Sequence, residues 1–505
     1  VAPVDVGPSV LERLVDSIGQ AAAMTGSARP HRPWIDALPE VIRPRDLGEC
    51  AAVGVLDDPA GQCRRSLVWT PAVGSLLLVG AVGAGTTTAA MTVAAACVRT
   101  ASPDALHLYV VDAQGDAAWN RFEALAHCGA VVRIGELERL SRLFARLADE
   151  LDHRSTNARR EPSIVVVIDG FAAVRDALGD VAHGQTLRRL DRLLRDGPAV
   201  GMVAAVTTDG VSSAGLAVPR AATWVFHVGD QGVARTVGLR APAVAAGVPG
   251  RMRVAESGLE GQVVHDPEPL RDVDAGRSAH GPGGGPAPVL VLPDVVDAHE
   301  LDGRCATGRA SAGPVGRPVE LLIGLGADDL EPAVLRVPVG DHVFIGGGAR
   351  TGRSTALRQV EAAWRRAHPG CPVVHVGRTR PVDDADGEVV DSQVVDGDVP
   401  ALVVVDDAER VDDADGGLAR LVARPGVTFA VAARLEAVRV AYGHWTREVV
   451  RSRCGLIMTS KGDVDGELLG ATLPRRPSIT PRPGLAWVID QDGHRLVQVA
   501  DRMPP

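Results

Sequence analysis

The stretch Asp341–Leu357, DHVFIGGGARTGRSTAL, constrains the fold more tightly than any other part of this 505-residue chain. It reads as a short apolar strand (Val343, Phe344, Ile345), a glycine-rich turn and the start of a helix. Against the phosphate-loop pattern G-x-x-x-x-G-K-[ST] it supplies Gly347, four residues, Gly352, Arg353 and Ser354, with Thr355 following. Only the lysine is replaced. Glycines in such a loop let backbone N–H groups curl around a polyphosphate, and the helix N-terminus adds partial positive charge. The lysine would reach the outer phosphates and the hydroxyl would help hold Mg²⁺. Here the cradle is present and its grip is changed.

The same plan occurs earlier in the chain. Ser75–Val79 runs into GAVGAGTTT, which keeps Gly80, Gly83, Gly85 and the hydroxyls of Thr87 and Thr88, with Thr86 at the lysine position. Further apolar runs at Leu106–Val111, Ala130–Ile134, Ile164–Ile168, Met202–Val206 and Trp224–Val228 alternate with helical patterns. Leu137, Leu140, Leu143, Phe144, Leu147 and Leu151 form one helical stripe. Continuous apolar strands separated by helices predict a mainly parallel sheet covered on both faces. After a Gly/Pro-rich linker at 266–288 the plan restarts. VLPDVVDAHEL echoes ALPEVIRPRDL; Leu402–Val405 echoes Ile164–Ile168; Thr428–Ala432 echoes Met202–Val206; and RPGLAWVIDQDGHRLVQVA echoes VPGRMRVAESGLEGQVVHD. The pairs recur in the same order, as expected of two tandem units. The predicted organisation is a connector helix within 1–32 (opened by a Ser9/Glu12 capping box), an α/β domain at 33–265, the linker at 266–288, and a second α/β domain at 289–505.

Composition removes several alternatives. A net charge of −10 gives no global basic field for nucleic acid. The arginines Arg188, Arg189, Arg192 and Arg195 read as a solvated helix face. A single lysine, Lys461, stands among 53 basic residues, so arginine in place of lysine partly reflects composition. The seven cysteines form no C-x-x-C pair, which predicts reduced thiols. No histidine spacing suits a metal site, so no metal is expected without nucleotide. The uncharged run Leu76–Val98 has a glycine-rich centre and reads as strand, loop and buried helix, not as a membrane span.

In phosphate-loop proteins a second apolar strand ends in an acid that helps hold Mg²⁺. Asp169 and Asp406 occupy that place. The next residue, commonly a glutamate that orients the attacking water, is Gly170 in the first unit and Asp407 in the second. Asp407 is the candidate base, on a stem one methylene shorter, and misplacement by about an ångström costs about 10²-fold in rate. Thr86 brings no charge, and a charge-assisted bond is worth about 1.5–3 kcal/mol. Thr207, with Thr208 at the end of the strand next in order, is the candidate γ-phosphate sensor. The matching positions in the second unit are read as Ala433 and Arg434.

The order of GAVGAGTTT, VVVIDGF and AAVTTD, then a domain closing in PG and a glycine-turn hairpin, resembles the FtsK/SpoIIIE group of P-loop ATPases. VVVDDAE and the closing RPGLAWVIDQDGHRLVQVA resemble, more specifically, the C-terminal tandem ATPase domains of type VII secretion ATPases of the EccC kind. This likeness implies two RecA-like domains, ATP and Mg²⁺ as ligands, and an upstream ATPase domain behind a membrane-anchored part. It also implies a place in the cytoplasmic portion of a bacterial complex, a homo-oligomeric (hexameric) complete assembly, and partners that are small helical secreted proteins carrying a C-terminal signal. The expected function is nucleotide binding or sensing with little or no hydrolysis by this chain. An active double-stranded DNA translocase and a scaffold binding no nucleotide stand as alternatives.

Overall fold

The computed structural model describes residues 8–28, 34–48, 51–210, 221–268, 270, 285–305, 318–377, 400–460 and 462–501. Two large mixed sheets carry the fold. In the first, the spatial order is Cys63–Val68, Ala52–Asp58, Glu260–Val263, Arg251–Val254, Ala222–Phe226, Leu76–Val79, Met202–Thr208, Ser163–Asp169, Leu106–Asp112 and Cys128–Arg133. In the second it is Pro332–Val337, Val319–Gly326, Gly493–Asp501, Leu485–Asp490, Gly455–Met458, Val343–Gly347, Val427–Ala433, Ala401–Val405 and Val373–Val376, with Val296–Asp297 pairing beside Gly493–Asp501. From Ala222–Phe226 and from Gly455–Met458 onward through the phosphate-loop strand the pairing is parallel, as the apolar runs predict. The other side of each sheet is an antiparallel extension of four further strands. That half is less apolar: Cys63–Val68 buries only Leu67, as suits an edge strand.

Period-two alternation divides the core. Leu76, Leu78, Val165, Val167, Val203 and Ala205 face the alanine-rich helix Thr86–Thr100. Leu77, Val79, Val166, Ile168, Ala204 and Val206 face the helices Leu137–Asn157, Phe171–Leu178 and Gln185–Asp196. The second sheet is covered in the same way on its two faces. Leu76–Val98 thus forms strand, loop and helix, and no described helix is long and apolar enough to cross a membrane.

Most of the expected linker lies outside the described residues, but its end is held firmly. Along one face of Leu137–Asn157, Arg139 donates to the Val289 carbonyl at 3.3 Å, Arg142 to that of Leu290, and Arg146 to that of Ala287 at 2.7 Å. Arg142 is buried, ion-paired with Glu138 at 2.8 Å, and its Nη2 also donates to the Ala327 carbonyl of the second domain at 2.7 Å. Glu138 accepts from the Leu292 amide. Arg189, read as solvated, reaches Asp328 at 3.1 Å, and Ala182 N bonds Arg476 O at 3.0 Å. The helix Val10–Met24 forms with its Ser9–Glu12 capping box, and none of its residues is buried.

Candidate nucleotide sites

Both loops end in the same backbone. Gly85 and Gly352 cap the helices Thr86–Thr100 and Arg353–Ala367 with φ +98° and ψ 17°, a left-handed conformation that glycine adopts without strain. A closing hairpin supports each loop from behind. The Gly250 amide donates to the Ala84 carbonyl at 2.9 Å, and the Gly484 amide to that of Thr351 at 3.0 Å. A glutamine holds each of these turns: Gln262 donates to Pro249 O at 2.9 Å, and Gln498 to Pro483 O at 3.1 Å. An arginine then ties the glutamine to the incoming segment. Arg251 bonds Gln262 and the carbonyls of Leu38 and Pro39; Arg482 bonds Gln498 and the carbonyls of Leu292 and Pro293. The echoing segments of the sequence therefore occupy matching places, although one arginine follows its Pro-Gly and the other precedes it. Sequence reasoning passed over both arginines; the Pro-Gly and the glutamine, present in both closing stretches, were the available signal.

In the first site Thr87 Oγ1 donates to Asp169 Oδ1 at 3.0 Å, so the loop hydroxyl and the strand-end acid meet as the pattern requires. Asp169 is fully buried. Its Oδ1 also accepts from Thr207 Oγ1 at 2.7 Å and its Oδ2 from the Trp119 indole at 3.0 Å, while Thr207 Oγ1 itself accepts from Gly170 N at 2.8 Å. Burial raises the Asp169 pKa above the usual carboxylate value, nearby Asp112 adds to the rise, and the three donors oppose it. Thr86 turns inward: a Cβ built on Gly80 would come within 3.0 Å of its methyl. Gly83 forms the exposed bend of the loop, and Thr88 is exposed at the helix start. Trp119, fifty residues before its partner, gave no sequence signal.

The second site is arranged differently. Ser354 Oγ donates to Asp406 Oδ2 at 2.7 Å, matching the Thr87–Asp169 pair, but Asp406 is exposed. Arg353 is ion-paired with Asp407: Nη2 lies 3.2 Å from Oδ1, with the arginine side chain 10% exposed. Asp407 has a left-handed backbone, φ +48°, and its second oxygen lies 3.7 Å from Arg410. Arg353 Nη1 is buried without a hydrogen-bond partner among the described residues. Gly347 approaches Met458 and Thr351 too closely to accept a side chain, and Thr355 sits half-buried on the first turn, where its hydroxyl accepts from Arg358 at 3.1 Å.

Strand register corrects one reading. Val79 pairs with Thr208 and Gly346 with Ala433, so the residues matching Thr207 and Thr208 are Ala432 and Ala433. Arg434 lies one place further on and pairs with Glu409 at 3.5 Å. Counting from the visible strand end misplaced the match by one residue. No hydroxyl stands there in either register.

The residues of the second site suit a nucleotide with Mg²⁺. A buried guanidinium nitrogen lacks a partner, and an open carboxylate stands beside a loop hydroxyl. In the first site the acid is enclosed and the lysine position is filled by a methyl against the loop.

Comparison with known proteins agrees with this architecture. Residues 63–159 match the FtsK/SpoIIIE family. The chain's likeness is to that family. The curated relative EccC3, an ESX-3 secretion system protein of Mycobacterium tuberculosis, is 26% identical over 388 residues, covering 69% of this chain and 28% of its own length. The chain thus spans less than a third of that relative. Among solved structures, Thermomonospora curvata EccC (ATPases 2 and 3) in complex with a signal sequence peptide has a TM-score of 0.67 at 18% identity, covering 90% of this chain and 93% of that one. EssC (ATPases 2 and 3) from Geobacillus thermodenitrificans has a TM-score of 0.62 at 17% identity, covering 94% and 100%. The fold is that of tandem P-loop ATPase domains.

Proposed function

We propose that this chain is the nucleotide-binding, substrate-binding and regulatory part of a type VII secretion-type translocase, with little or no ATP hydrolysis of its own. One observation carries the reading. Asp407, the sole carboxylate at the water-orienting position of either site, is held by Arg353 at 3.2 Å and faces Arg410 at 3.7 Å. A carboxylate beside a guanidinium is a poor proton acceptor; when phosphate takes Arg353, Arg410 remains beside Asp407, and in the first domain Gly170 offers no carboxylate. Both phosphate loops are read as degenerate members of a tandem repeat, the second better preserved than the first.

In this reading Ser354 and Asp406 hold Mg²⁺ and Arg353 holds the outer phosphates. Bound Mg²⁺ would neutralise phosphate charge; the loop amides from Gly347 to Gly352 orient the chain of phosphates. Thr207 keeps Asp169 and Gly170 in register, so the first domain has a preserved shape without a cationic grip. The partners are small helical exported proteins with a C-terminal signal, and catalytic power resides in a further ATPase domain. Steady-state ATP turnover by the isolated chain is the test. Negligible hydrolysis is expected, and turnover near 1 s⁻¹, at the low end of ordinary enzymes, sinks the proposal. Fluorescence anisotropy with a labelled C-terminal peptide of such an exported protein tests the partner: saturable binding is expected, and none overturns it.

A further inference from the structure

We propose that Asp407 is an internal counter-ion occupying the anion site of the second phosphate loop, which a phosphate ligand must displace in order to bind. The proposal rests on the reading of this loop as a nucleotide site and adds a competitor built into the chain.

Three features point to it. Arg353 opens a fifteen-residue helix, is nine-tenths buried, and spends only Nη2 on Asp407, at 3.2 Å. Its Nη1 is buried with no partner among the described residues, so the guanidinium fork is half satisfied there. A guanidinium stays charged at any physiological pH, and a buried unpaired N–H is costly, so the site favours an anion with more oxygens than one carboxylate edge presents. A terminal phosphate has that shape. Asp407, meanwhile, is able to leave: its side chain is 43% exposed, and Arg410 offers a second cation on the outer side. Its amide bonds Asp406 Oδ1 at 2.9 Å, so the backbone stays anchored when the side chain swings away. Carboxylate and phosphate repel each other, and only one of them holds Arg353 at a time.

A consequence runs against the usual expectation for a residue beside the strand-end acid: removing its charge strengthens binding. Asn tolerates the left-handed backbone that Asp407 adopts, so Asp407→Asn preserves the local structure. The experiment is calorimetric titration of the full chain with inorganic tripolyphosphate and with a non-hydrolysable ATP analogue. The proteins compared are the unaltered chain, Asp407→Asn, Asp407→Glu and Asp407→Asn/Arg353→Ala. Asp407→Asn is expected to tighten both ligands by up to about fivefold, the scale of a partly exposed ion pair. Asp407→Glu is expected to stay near the unaltered chain, and the double variant to lose the gain. Unchanged or weaker binding of tripolyphosphate by Asp407→Asn, where the unaltered chain binds, overturns the counter-ion alone. A gain confined to the ATP analogue also overturns it, because the phosphates would then not be what competes. No binding by any of the proteins overturns both the counter-ion and the nucleotide reading.

Discussion

The amide of Gly484 donates to the carbonyl of Thr351 across 3.0 Å, so the last hairpin of the second domain braces its phosphate loop. Gly484 has φ +81°, and a Cβ there would run into the Gln498 amide. Gly484→Ala is therefore expected to destabilise the second domain by about 1–3 kcal/mol. Urea unfolding checks the stability, and weaker binding of the ATP analogue checks the loop. An unchanged midpoint and unchanged affinity would show that the brace is dispensable.

Thr86→Lys restores a cation to the first loop. A charge-assisted bond of about 1.5–3 kcal/mol predicts at least a tenfold gain in ATP affinity at that site. Turnover should nonetheless remain low. Gly170 has φ +92° and a Cβ there would come within 2.6 Å of Gln114 Nε2, so a glutamate cannot simply be put back. Calorimetry and a coupled ATPase assay separate the two effects.

Arg142→Ala removes a buried guanidinium that joins Glu138 to the Ala327 carbonyl. Breaking a buried pair from one side costs about 3–5 kcal/mol, and here much of that cost falls between domains. Two separated unfolding transitions are expected where the unaltered chain shows closer ones. Differential scanning calorimetry reads this directly.

His342 supplies a pH dependence. The ring is buried at 5% exposure, and its Nδ1 accepts from the Phe429 amide at 3.2 Å, which requires an unprotonated nitrogen. Burial lowers its pKa below the ordinary value, while Asp341, the Val422 carbonyl and Glu448 partly oppose the shift. For a histidine whose folded pKa is depressed, the unfolded chain takes up the proton first. The stabilisation is present above about pH 6.5 and is lost as pH falls towards the folded pKa. His342→Gln keeps an acceptor without the titration, so its stability should fall less than that of the unaltered chain between pH 7.5 and about 5.5. Parallel urea curves at several pH values test the difference.

Most of the parallel strands were legible because they are buried on both faces and read as unbroken apolar runs; Val373–Val376, which is only partly buried, and the four-residue Gly455–Met458 were not read. The antiparallel half was mostly not, since strands such as Cys63–Val68 present one wet side and carry little pattern. Loop positions were legible because phosphate cradling fixes glycine spacing within a few residues. What those loops touch was not. Arg353 and Asp407 are 54 positions apart, and Trp119 and Asp169 are 50 apart, so only the folded sheet brings them together. The one-residue error at Ala432 and Ala433 has a similar cause: hydrogen-bond register decides which residues are neighbours, and apolar run length does not reveal it.

The grip of Arg139, Arg142 and Arg146 on residues 287 to 290 is made on main-chain oxygens. Every residue type offers a carbonyl, so substitutions along the gripped segment leave the acceptors in place. The burden of heredity falls instead on one helix face. Apart from its buried Val289, the exposed positions of the joining segment are free to drift in sequence while the arginines that hold it are not.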